Sequence, residues 1–435
     1  MPVVRPFKHV IFNWLEERER CKAMVKGCDI AIIDSYLASP DFYDEIARIA
    51  QVSVFVDDNR RIDFPAGIIL NGSIYAKDLG YPDKCDGGNL LGPEYFLLRK
   101  PFQAQHDKVI NARIESALII FGATDARNMT GGVLDHLVKT FPGTRMLVVV
   151  GPGFQVPIDH LVKKYPAVAF HQNLDARGML ALMIEADIAI SACGTTLYEL
   201  ACVGVPTIGI GVAENQALNV KKFTEIGFMK FAGWWNEQNL FTNLLFSMRA
   251  MIPHESRATA SRIGQALVKG TGCLNAVKRI KEAWFKKKLV FSRATKSHCD
   301  LLYKWANDDE VRKNSFNSDQ ISYDTHVKWF EGKLRSSSSY IFIGFIDSTP
   351  VGQVRMEIDG LSGVISYSID KEWRGNGLGN VFLQELPFLI TTHNVKVTRL
   401  IGRVKVGNLQ SQKAFERAGF QKHDGNGFFE YVKDV

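Results

Sequence analysis

The 435-residue sequence contains no run of about eighteen or more apolar residues, so it offers no candidate transmembrane helix. Its beginning, MPVVRPFKHVIFNWLEERER, lacks the long apolar segment and small-residue cleavage site of a secretory signal. Its seven cysteines are scattered and form no C-x-x-C pair, which argues against a structural zinc site or a redox motif. We therefore expect a soluble, cytoplasmic protein with reduced cysteines, no metal and no membrane partner.

A distributed basic surface is missing as well. The formal net charge is +7, but the segment 278–288, KRIKEAWFKKK, alone contains six basic residues and one acidic residue. No nucleic-acid-binding motif accompanies this local excess. It predicts a solvated helix at a domain junction and no nucleic-acid partner.

The length suggests two or three domains, and the pattern along the chain changes near residue 289. Between about residues 27 and 215, short apolar runs alternate with helical patterns, which predicts parallel sheets. Later in the chain, we expect helices near 298–312 and 323–335, then strands, a glycine-rich loop and a second strand-helix pair. The predicted fold class is α/β, followed by a smaller α+β domain.

The glycine-rich loop, KEWRGNGLGN (371–380), lies between a predicted strand and a predicted helix. Its glycines leave backbone N–H groups unobstructed, and a helix N-terminus favours an anion, so a phosphate fits this loop. The G-x-G spacing alone is a weak signal. It is strengthened by the second strand-helix unit, which contains GNLQSQKAFERAGF (407–420), because two splayed strands would admit a long ligand between them.

This pairing resembles the GNAT family of acetyl-CoA-dependent N-acetyltransferases over roughly residues 290–435. The family's R/Q-x-x-G-x-G/A loop matches residues 374–379, and its N-x-x-S/A-x-x-A/L-Y/F-x-x-x-G-F segment matches residues 408–420. The resemblance implies that acetyl-CoA is the cosubstrate, that the loop holds its pyrophosphate and that Asn408 lies near its pantetheine arm. The implied cofactor-binding residues are Arg374, Gly375, Gly377, Gly379 and Asn408.

In this family a neutral amine attacks the thioester, so the site needs a base for the amine proton and a donor for the departing thiolate. Glu357 is the candidate base, Asn408 is a second catalytic candidate, and Tyr367 and Ser368 are weaker polar candidates. In the family the proton donor is often a tyrosine at the position that Phe415 holds in this sequence. Because phenylalanine cannot donate a proton, the donor is unassigned here. The candidates for contacts with the acceptor are Trp305, Asn307 and Trp329. For both tryptophans, the alternative is a role in helix packing.

Two turns in the N-terminal part also combine glycine with hydroxyl groups after a predicted strand, so both are candidate anion sites. They are GATD (122–125) and CGTT (193–196), and Glu199 follows the second where its carboxylate would accept hydrogen bonds from a ribose diol. The candidate substrate-binding residues here are Gly122, Thr124, Asp125, Gly194, Thr195, Thr196, Glu199 and Gln216.

The order of these motifs resembles the nucleotide-sugar half of GT-B glycosyltransferases and, more closely, the UDP-sugar hydrolases of pseudaminic acid biosynthesis, over about residues 12–285. The motif IIDSY adds Asp34 and Tyr36 to the candidate substrate-binding residues. The family's G-x-G-H loop, whose histidine is thought to activate water, has no counterpart, and His9 lacks that context. We therefore expect an incomplete first Rossmann half: a truncated reading frame, a fold completed by another chain, or a part that binds UDP-sugar without hydrolysing it.

The two resemblances together predict GT-B-like Rossmann domains followed by an α+β GNAT acetyltransferase domain. The expected boundaries are 1–105 for the partial first half, 106–288 for the UDP-binding half with its helical tail, and 289–435 for the GNAT domain. The predicted function is acetylation of a UDP-linked 4-amino-4,6-dideoxy sugar, fused to a UDP-sugar hydrolase-like domain, in pseudaminic (nonulosonic) acid biosynthesis. The alternatives are a fully bifunctional enzyme, a GNAT domain fused to a non-catalytic UDP-sugar module, and a GT-B glycosyltransferase fusion.

Overall fold

The protein, described by a computed structural model over residues 8–83, 88–154 and 158–435, divides into two compact units. The C-terminal unit comprises Lys278–Val435 with Met24–Ala31 and Ile49–Val52, and the N-terminal unit comprises the other described residues.

The first sheet consists of β1 (Ile30–Asp34), β2 (Val52–Val56), β3 (Ile68–Asn71) and β4 (Leu90–Leu91), in that spatial order. Strands β2, β3 and β4 run parallel to one another. β2 reads VSVFV and is buried at its first four positions, as expected of a parallel strand that is covered on both faces. The accompanying helices are α1 (Arg18–Val25) and α2 (Pro40–Ile49).

A second, wholly parallel sheet forms the centre of the N-terminal unit. Three of its strands, with the sequences SALII, IAISA and TIGIG, are buried at every position, because apolar clusters cover both faces of the sheet. In spatial order its strands are β10 (Met229–Trp234), β9 (Thr207–Gly211), β8 (Ile188–Ala192), β5 (Ser116–Ile120), β6 (Arg145–Val150) and β7 (Ala169–Gln172).

Helices follow most strands of this second sheet, which is the arrangement of repeated strand-helix-strand units. The parallel sheets predicted for the N-terminal part are confirmed, and β10 is an addition that the sequence analysis did not predict. The helices of this part are α3 (Met129–Thr140), α4 (Ile158–Lys164), α5 (Ala176–Glu185), α6 (Thr196–Val203), α7 (Ala217–Glu225), α8 (Leu240–Ala250) and α9 (His254–Leu267).

The C-terminal unit is built on a mixed sheet whose strands, in spatial order, are β11 (Val290–Arg293), β12 (Ser339–Ile346), β13 (Thr349–Asp359), β14 (Ser362–Ile369), β15 (Arg399–Lys405), β17 (Phe428–Asp434) and β16 (Gln421–Asp424). Its helices are α10 (Gly272–Lys288), of which residues from Lys278 onward belong to this unit, α11 (Cys299–Ala306), α12 (Asp309–Asn314), α13 (Tyr323–Arg335), α14 (Leu378–Gln384), α15 (Leu386–Thr392) and α16 (Leu409–Arg417). The predicted change from a parallel to a mixed α+β pattern is confirmed.

Strands β14 and β15 are parallel neighbours within this otherwise antiparallel sheet. Their pairing runs from Ser362 opposite Arg399 to Ile365 opposite Gly402 and ends there, although β14 continues to Ile369 and β15 to Lys405. The pairing therefore stops four residues before the end of β14 and three residues before the end of β15, which opens a gap between the two strands. This opening is the one that the sequence analysis expected beside the glycine-rich loop.

Among the residues that the structure describes, no helix combines the length and the apolar character needed to cross a bilayer. The same residues contain no cluster of three or more potential metal ligands among histidine, cysteine, aspartate and glutamate.

Candidate active site

The glycine-rich loop of the C-terminal unit connects β14 to α14. The Asp370 carboxylate caps a 3₁₀ turn at Lys371–Trp373 by accepting a hydrogen bond from the N–H of Glu372 at 3.0 Å, and it also accepts one from Trp305 Nε1 at 2.8 Å. After this turn, Gly375 (φ 78°) and Gly377 (φ 90°) adopt left-handed backbone conformations that favour glycine. Both glycines and Gly379 line one cavity of this unit.

Helix α10 packs directly against this loop. The Lys281 ammonium group donates to Asn376 Oδ1 at 2.9 Å. A Cβ atom at Gly377 would lie 2.7 Å from Glu282 Oε1, and the Glu282 side chain is buried. The loop conformation is therefore fixed by α10 as well as by its own glycines.

The Arg374 side chain lines the same cavity as the loop and is held by partners within the protein. Its Nε donates to the carbonyl of Ile369 at 2.9 Å, and its guanidinium pairs with Asp308 at 2.7 Å and with Glu310 at 3.2 Å. Partial burial works to raise the pKa of Asp308, but the hydrogen bonds from Arg374 and from backbone N–H groups outweigh it and lower that pKa. Arg374 thus holds the loop against α12, and the backbone is left to meet an anion.

A cavity of about 810 Å³ extends from the loop across the sheet of the C-terminal unit. All five residues that the sequence analysis assigned to cofactor binding line this cavity. Its volume is in the range of small-molecule sites in proteins. The five lining residues in question are Arg374, Gly375, Gly377, Gly379 and Asn408.

Residues of α16 and β14 line one part of the cavity. Asn408 caps α16, because its Oδ1 accepts a hydrogen bond from the N–H of Ser411 at 3.1 Å. The hydroxyl groups of Ser411 and Tyr367 lie 3.1 Å apart, and the Tyr367 ring lies 6.0 Å from that of Phe415. Burial raises the pKa of Tyr367, so its hydroxyl stays protonated, although the hydrogen bond with Ser411 partly opposes the shift.

The opposite side of the cavity carries arginine and aromatic side chains. Arg355 Nε donates to Ser366 Oγ at 3.1 Å, and its guanidinium carbon lies 5.0 Å from the centre of the Trp329 ring. Burial, together with the nearby Arg312, lowers the pKa of Arg355 although Glu357 opposes this. Arg312 Nε is buried and has no hydrogen-bond partner within the described part of the chain. This side therefore offers positive charge that the protein does not fully neutralise.

His326 lies beside these groups in a neutral state. Its Nε2 lies 3.1 Å from the carbonyl of Cys299, and its ring stacks on Phe330. Burial lowers the pKa of His326, with the nearby Arg355 adding to the effect. We therefore read His326 chiefly as a packing residue that supports this wall.

In the N-terminal unit, the predicted anion-binding turn CGTT (193–196) joins β8 to α6. Glu199 on α6 is buried, and both of its carboxylate oxygens are bound by Arg99, Oε1 by Nε at 2.6 Å and Oε2 by Nη2 at 2.8 Å. Gln216 Oε1 accepts a hydrogen bond from the N–H of Val212 at 3.0 Å, and its Nε2 lies 3.8 Å from the position of a Cβ at Gly194. The turn residues Gly194, Thr195 and Thr196 thus lie near Gln216 at the carboxyl edge of the sheet, while Glu199 has a protein partner.

The first predicted turn has a different local role. The two carboxylate oxygens of Asp125 accept hydrogen bonds from the N–H groups of Met129 and Thr130 at 2.8 and 2.9 Å, so Asp125 caps the start of α3. Gly122 has a φ of 79°, and Thr124 packs beside Gly153. Farther upstream, Asp34 ends β1, and the Tyr36 hydroxyl donates to Asp58 Oδ2 at 2.5 Å.

Residues 288–421 match the family model described as an acetyltransferase (GNAT) domain. The C-terminal unit contains a GNAT acetyltransferase domain. We call residues 288–421 the GNAT domain from this point on.

Over 431 residues the chain is 21% identical to an uncharacterized protein of Methanocaldococcus jannaschii, a match that covers 94% of this chain and 84% of that protein. It is 27% identical over 259 residues to the spore coat polysaccharide biosynthesis protein SpsG of Bacillus subtilis, with 57% of this chain and 75% of that protein covered. It is 28% identical over 211 residues to the pseudaminic acid cytidylyltransferase and UDP-2,4-diacetamido-2,4,6-trideoxy-beta-L-altropyranose hydrolase of Helicobacter pylori. That last match covers 47% of this chain and 38% of the Helicobacter protein.

The solved structure of the aminoglycoside acetyltransferase AAC(6')-Ib with coenzyme A covers 34% of this chain and 94% of its own, at 17% identity and a TM-score of 0.31. The prediction that a GNAT domain follows an N-terminal part homologous to these sugar-biosynthesis proteins is confirmed. The prediction that the chain contains an N-acetyltransferase is confirmed as well.

The structure separates the candidate catalytic residues of the GNAT domain. Asn408 lines the cavity, whereas Glu357 is not among the described lining residues and instead binds Lys333 at 2.8 Å and Ser339 at 3.1 Å. Of the acceptor candidates, Trp329 lines the cavity. Trp305 is buried, and the side-chain amide of Asn307 exchanges two hydrogen bonds with the backbone of Ile321.

The sequence analysis missed several basic residues that line the cavity. The signal for Lys278 was present in the basic run at 278–288, which was interpreted as a solvated helix. That interpretation is wrong for one face of α10, because Glu282 and Phe285 are buried. The others are Arg312, Arg355, Arg403, Lys413 and Arg417, of which Lys413 and Arg417 lie in the segment 407–420 at positions that the family pattern leaves open.

Proposed function

We propose that the GNAT domain transfers the acetyl group of acetyl-CoA to the amine of a UDP-linked 4-amino-4,6-dideoxy sugar. The observation that carries this proposal is the charge of the cavity, because its described lining includes one carboxylate, Glu310, which is itself paired with Arg374. Both proposed substrates are phosphate esters, and cationic walls attract them. The cationic lining residues are Lys278, Arg312, Arg355, Arg374, Arg403, Lys413 and Arg417.

The glycine-rich loop supports acetyl-CoA as the donor. Three of its glycines line the cavity and put no side chain between the backbone and a ligand, and backbone amides in such loops bind pyrophosphate oxygens well. The opening between β14 and β15 begins where their pairing stops, at Ile365 and Gly402. A pantetheine arm that entered this opening would lie along the unpaired ends of the two strands.

The arginine wall supports an anionic acceptor. Arg312 lies close enough to Arg355 to lower its pKa, and Arg355 is half-buried. A polyamine or an aminoglycoside would be repelled by such a wall, whereas the diphosphate of a nucleotide sugar would be attracted. Trp329, which stacks on Arg355, adds an apolar surface suited to a sugar or base face.

The reaction forms a C–N bond to the amine and breaks the C–S bond of the thioester, and the amine gives one proton to water that enters with the substrates. The departing thiolate needs a proton that Phe415 cannot give. Tyr367 can, because its hydroxyl lies beside Ser411 in the same cavity and its raised pKa keeps it protonated. We assign it as the donor.

Replacing Tyr367 with phenylalanine should lower kcat about tenfold with little change in the KM for acetyl-CoA, since cavity water substitutes in part for the lost donor. Because the tyrosine stays protonated to high pH, the wild-type kcat should fall only when alkaline pH begins to ionise it, and this alkaline decline should disappear in the variant. Tyr340→Phe, the same change on β12 outside the described cavity lining, is the matched control. An unchanged pH profile in Tyr367→Phe would remove Tyr367 from this role.

For the N-terminal part we propose a UDP-sugar hydrolase-like fold that handles the acetylated product. The similarity to the Helicobacter hydrolase and the positions of Thr195, Thr196 and Gln216 around one turn support this. A ribose diol that bound Glu199 would have to replace Arg99, which now occupies both carboxylate oxygens. Binding of UDP would then be coupled to release of the Arg99 side chain.

The full-length protein should be incubated with acetyl-CoA and a UDP-4-amino-4,6-dideoxy-N-acetylhexosamine, and added acetyl and free UDP should be followed separately by mass spectrometry. We expect acetylation of the sugar. Acetylation with UDP release would identify a bifunctional enzyme, and acetylation without release would limit the N-terminal part to binding. Acetylation of peptide N-terminal amines in place of the sugar would contradict the proposed acceptor.

A further inference from the structure

Three basic side chains line the cavity near the glycine-rich loop and come from two helices. Lys278 lies on α10, and Lys413 and Arg417 lie four residues apart on one face of α16. We call Lys278, Lys413 and Arg417 the basic cluster. Lys278 precedes the segment 288–421 that matches the family model.

The three positive charges of the basic cluster are only partly compensated by the protein. The carboxylate beside it is Glu282, whose Oε2 binds Arg279 at 2.8 Å and whose Oε1 lies 4.0 Å from Arg417. Glu282 Oε1 is buried and accepts no hydrogen bond within the described part of the chain. Burial lowers the pKa of Lys278, and Arg417, Lys413 and Arg279 add to this, whereas Glu282 opposes it. A bound anion would relieve this repulsion.

The basic cluster and the loop are joined through α10. Lys281 binds Asn376 of the loop, and Glu282 touches the position of a Gly377 Cβ, so Lys278 lies one helical turn from residues that contact the loop. A ligand whose pyrophosphate lies on the loop therefore has a second phosphate site within reach. Coenzyme A carries such a group, the 3′-phosphate on its ribose, next to the pyrophosphate.

We propose that Lys278, Lys413 and Arg417 bind the 3′-phosphate of coenzyme A, so that α10 supplies part of the cofactor site from outside the GNAT domain. This inference rests on the proposed function, since it requires acetyl-CoA in the cavity. It assigns a role to the basic run 278–288 in addition to joining two parts of the chain.

Dephospho-CoA, which lacks only the 3′-phosphate, tests the inference directly. Binding of CoA and dephospho-CoA to the full-length protein should be compared by isothermal titration calorimetry. We expect the wild type to prefer CoA by about tenfold, as the loss of a charge-assisted contact implies. In Lys278→Met the preference should fall to about threefold, and in Lys278→Met/Arg417→Met to near unity, with dephospho-CoA binding unchanged.

Lys287→Met is the matched control, because Lys287 lies on the same helix, is exposed and is not among the described lining residues; it should keep the wild-type preference. Equal binding of CoA and dephospho-CoA by the wild type would overturn the 3′-phosphate site while leaving CoA binding intact. Equal weakening of both ligands in Lys278→Met would also overturn it, because Lys278 would then act elsewhere. Failure of the wild type to bind either ligand would instead overturn the proposed function.

Discussion

Replacing Gly377 with alanine should raise the KM for acetyl-CoA about 30-fold, equivalent to about 2 kcal/mol of binding free energy. The new Cβ would lie 2.7 Å from Oε1 and 2.8 Å from Cγ of Glu282. Glu282 is only 3% exposed and its other oxygen is held by Arg279, so it has little freedom to move aside. An alanine at a φ of 90° adds backbone strain of about 1–2 kcal/mol. The loop must therefore shift, and with it the backbone amides that we propose bind the pyrophosphate.

Gly375→Ala is the matched control for this change. Gly375 also has a positive φ, 78°, but no atom lies within 4 Å of its Cβ position. It therefore carries the backbone strain without the collision, and we expect a KM increase of at most about tenfold. Steady-state kinetics with acetyl-CoA as the varied substrate, alongside thermal unfolding of each variant, provide the comparison. Equal increases in both variants would show that strain alone, and not the contact with α10, controls the loop.

The loop and the opening beside it were predictable because their signals are local. Glycines such as Gly375 and Gly377 favour left-handed turns. The order of strand, glycine-rich turn and helix can be read from the sequence itself. The helix at Tyr323–Arg335 was placed correctly for the same reason: the Ser322 side chain caps it by accepting a hydrogen bond from the N–H of Thr325.

The helix predicted near 298–312 shows where local reasoning stops. The structure has two helices there, α11 and α12, and the chain leaves the first one at Asn307. The Asn307 side chain binds the backbone of Ile321, fourteen residues away, and Asp308 caps α12 by accepting hydrogen bonds from Glu310 and Val311. Helical periodicity did not reveal the break, because one of its causes is a contact with a distant segment.

Contacts between distant segments also explain why the sequence did not reveal the pairing of Glu199 with Arg99. The same is true of the basic cluster. Arg99 lies 100 residues before its partner, and Lys278 lies far from Lys413 and Arg417 in the sequence. Composition revealed the positive charge of α10 but not which of its faces meets the cavity. Whether a charge is solvated, paired or aimed at a ligand is decided by such long-range packing.

Replacing Arg355 with methionine should lower kcat/KM for the UDP-amino sugar about 100-fold, equivalent to about 3 kcal/mol, the upper range for a hydrogen bond to a charged group. Methionine keeps much of the apolar stem but removes the guanidinium that stacks on Trp329 and donates to Ser366. The KM for acetyl-CoA should change less than about twofold, because Arg355 lies on β13, away from the glycine-rich loop. Arg355→Lys should recover part of the lost kcat/KM, since lysine restores the positive charge but not the planar guanidinium group with its paired N–H donors.

The decisive comparison uses a second acceptor, the same amino sugar without its nucleotide. If Arg355 binds the diphosphate, Arg355→Met should leave kcat/KM for this phosphate-free acceptor nearly unchanged, and the variant should lose the wild-type preference for the UDP-linked form. Arg399→Met, on the exposed end of β15 and paired with Asp434, is a control for loss of one surface arginine. An equal loss for both acceptors in Arg355→Met would mean that Arg355 only supports the cavity wall.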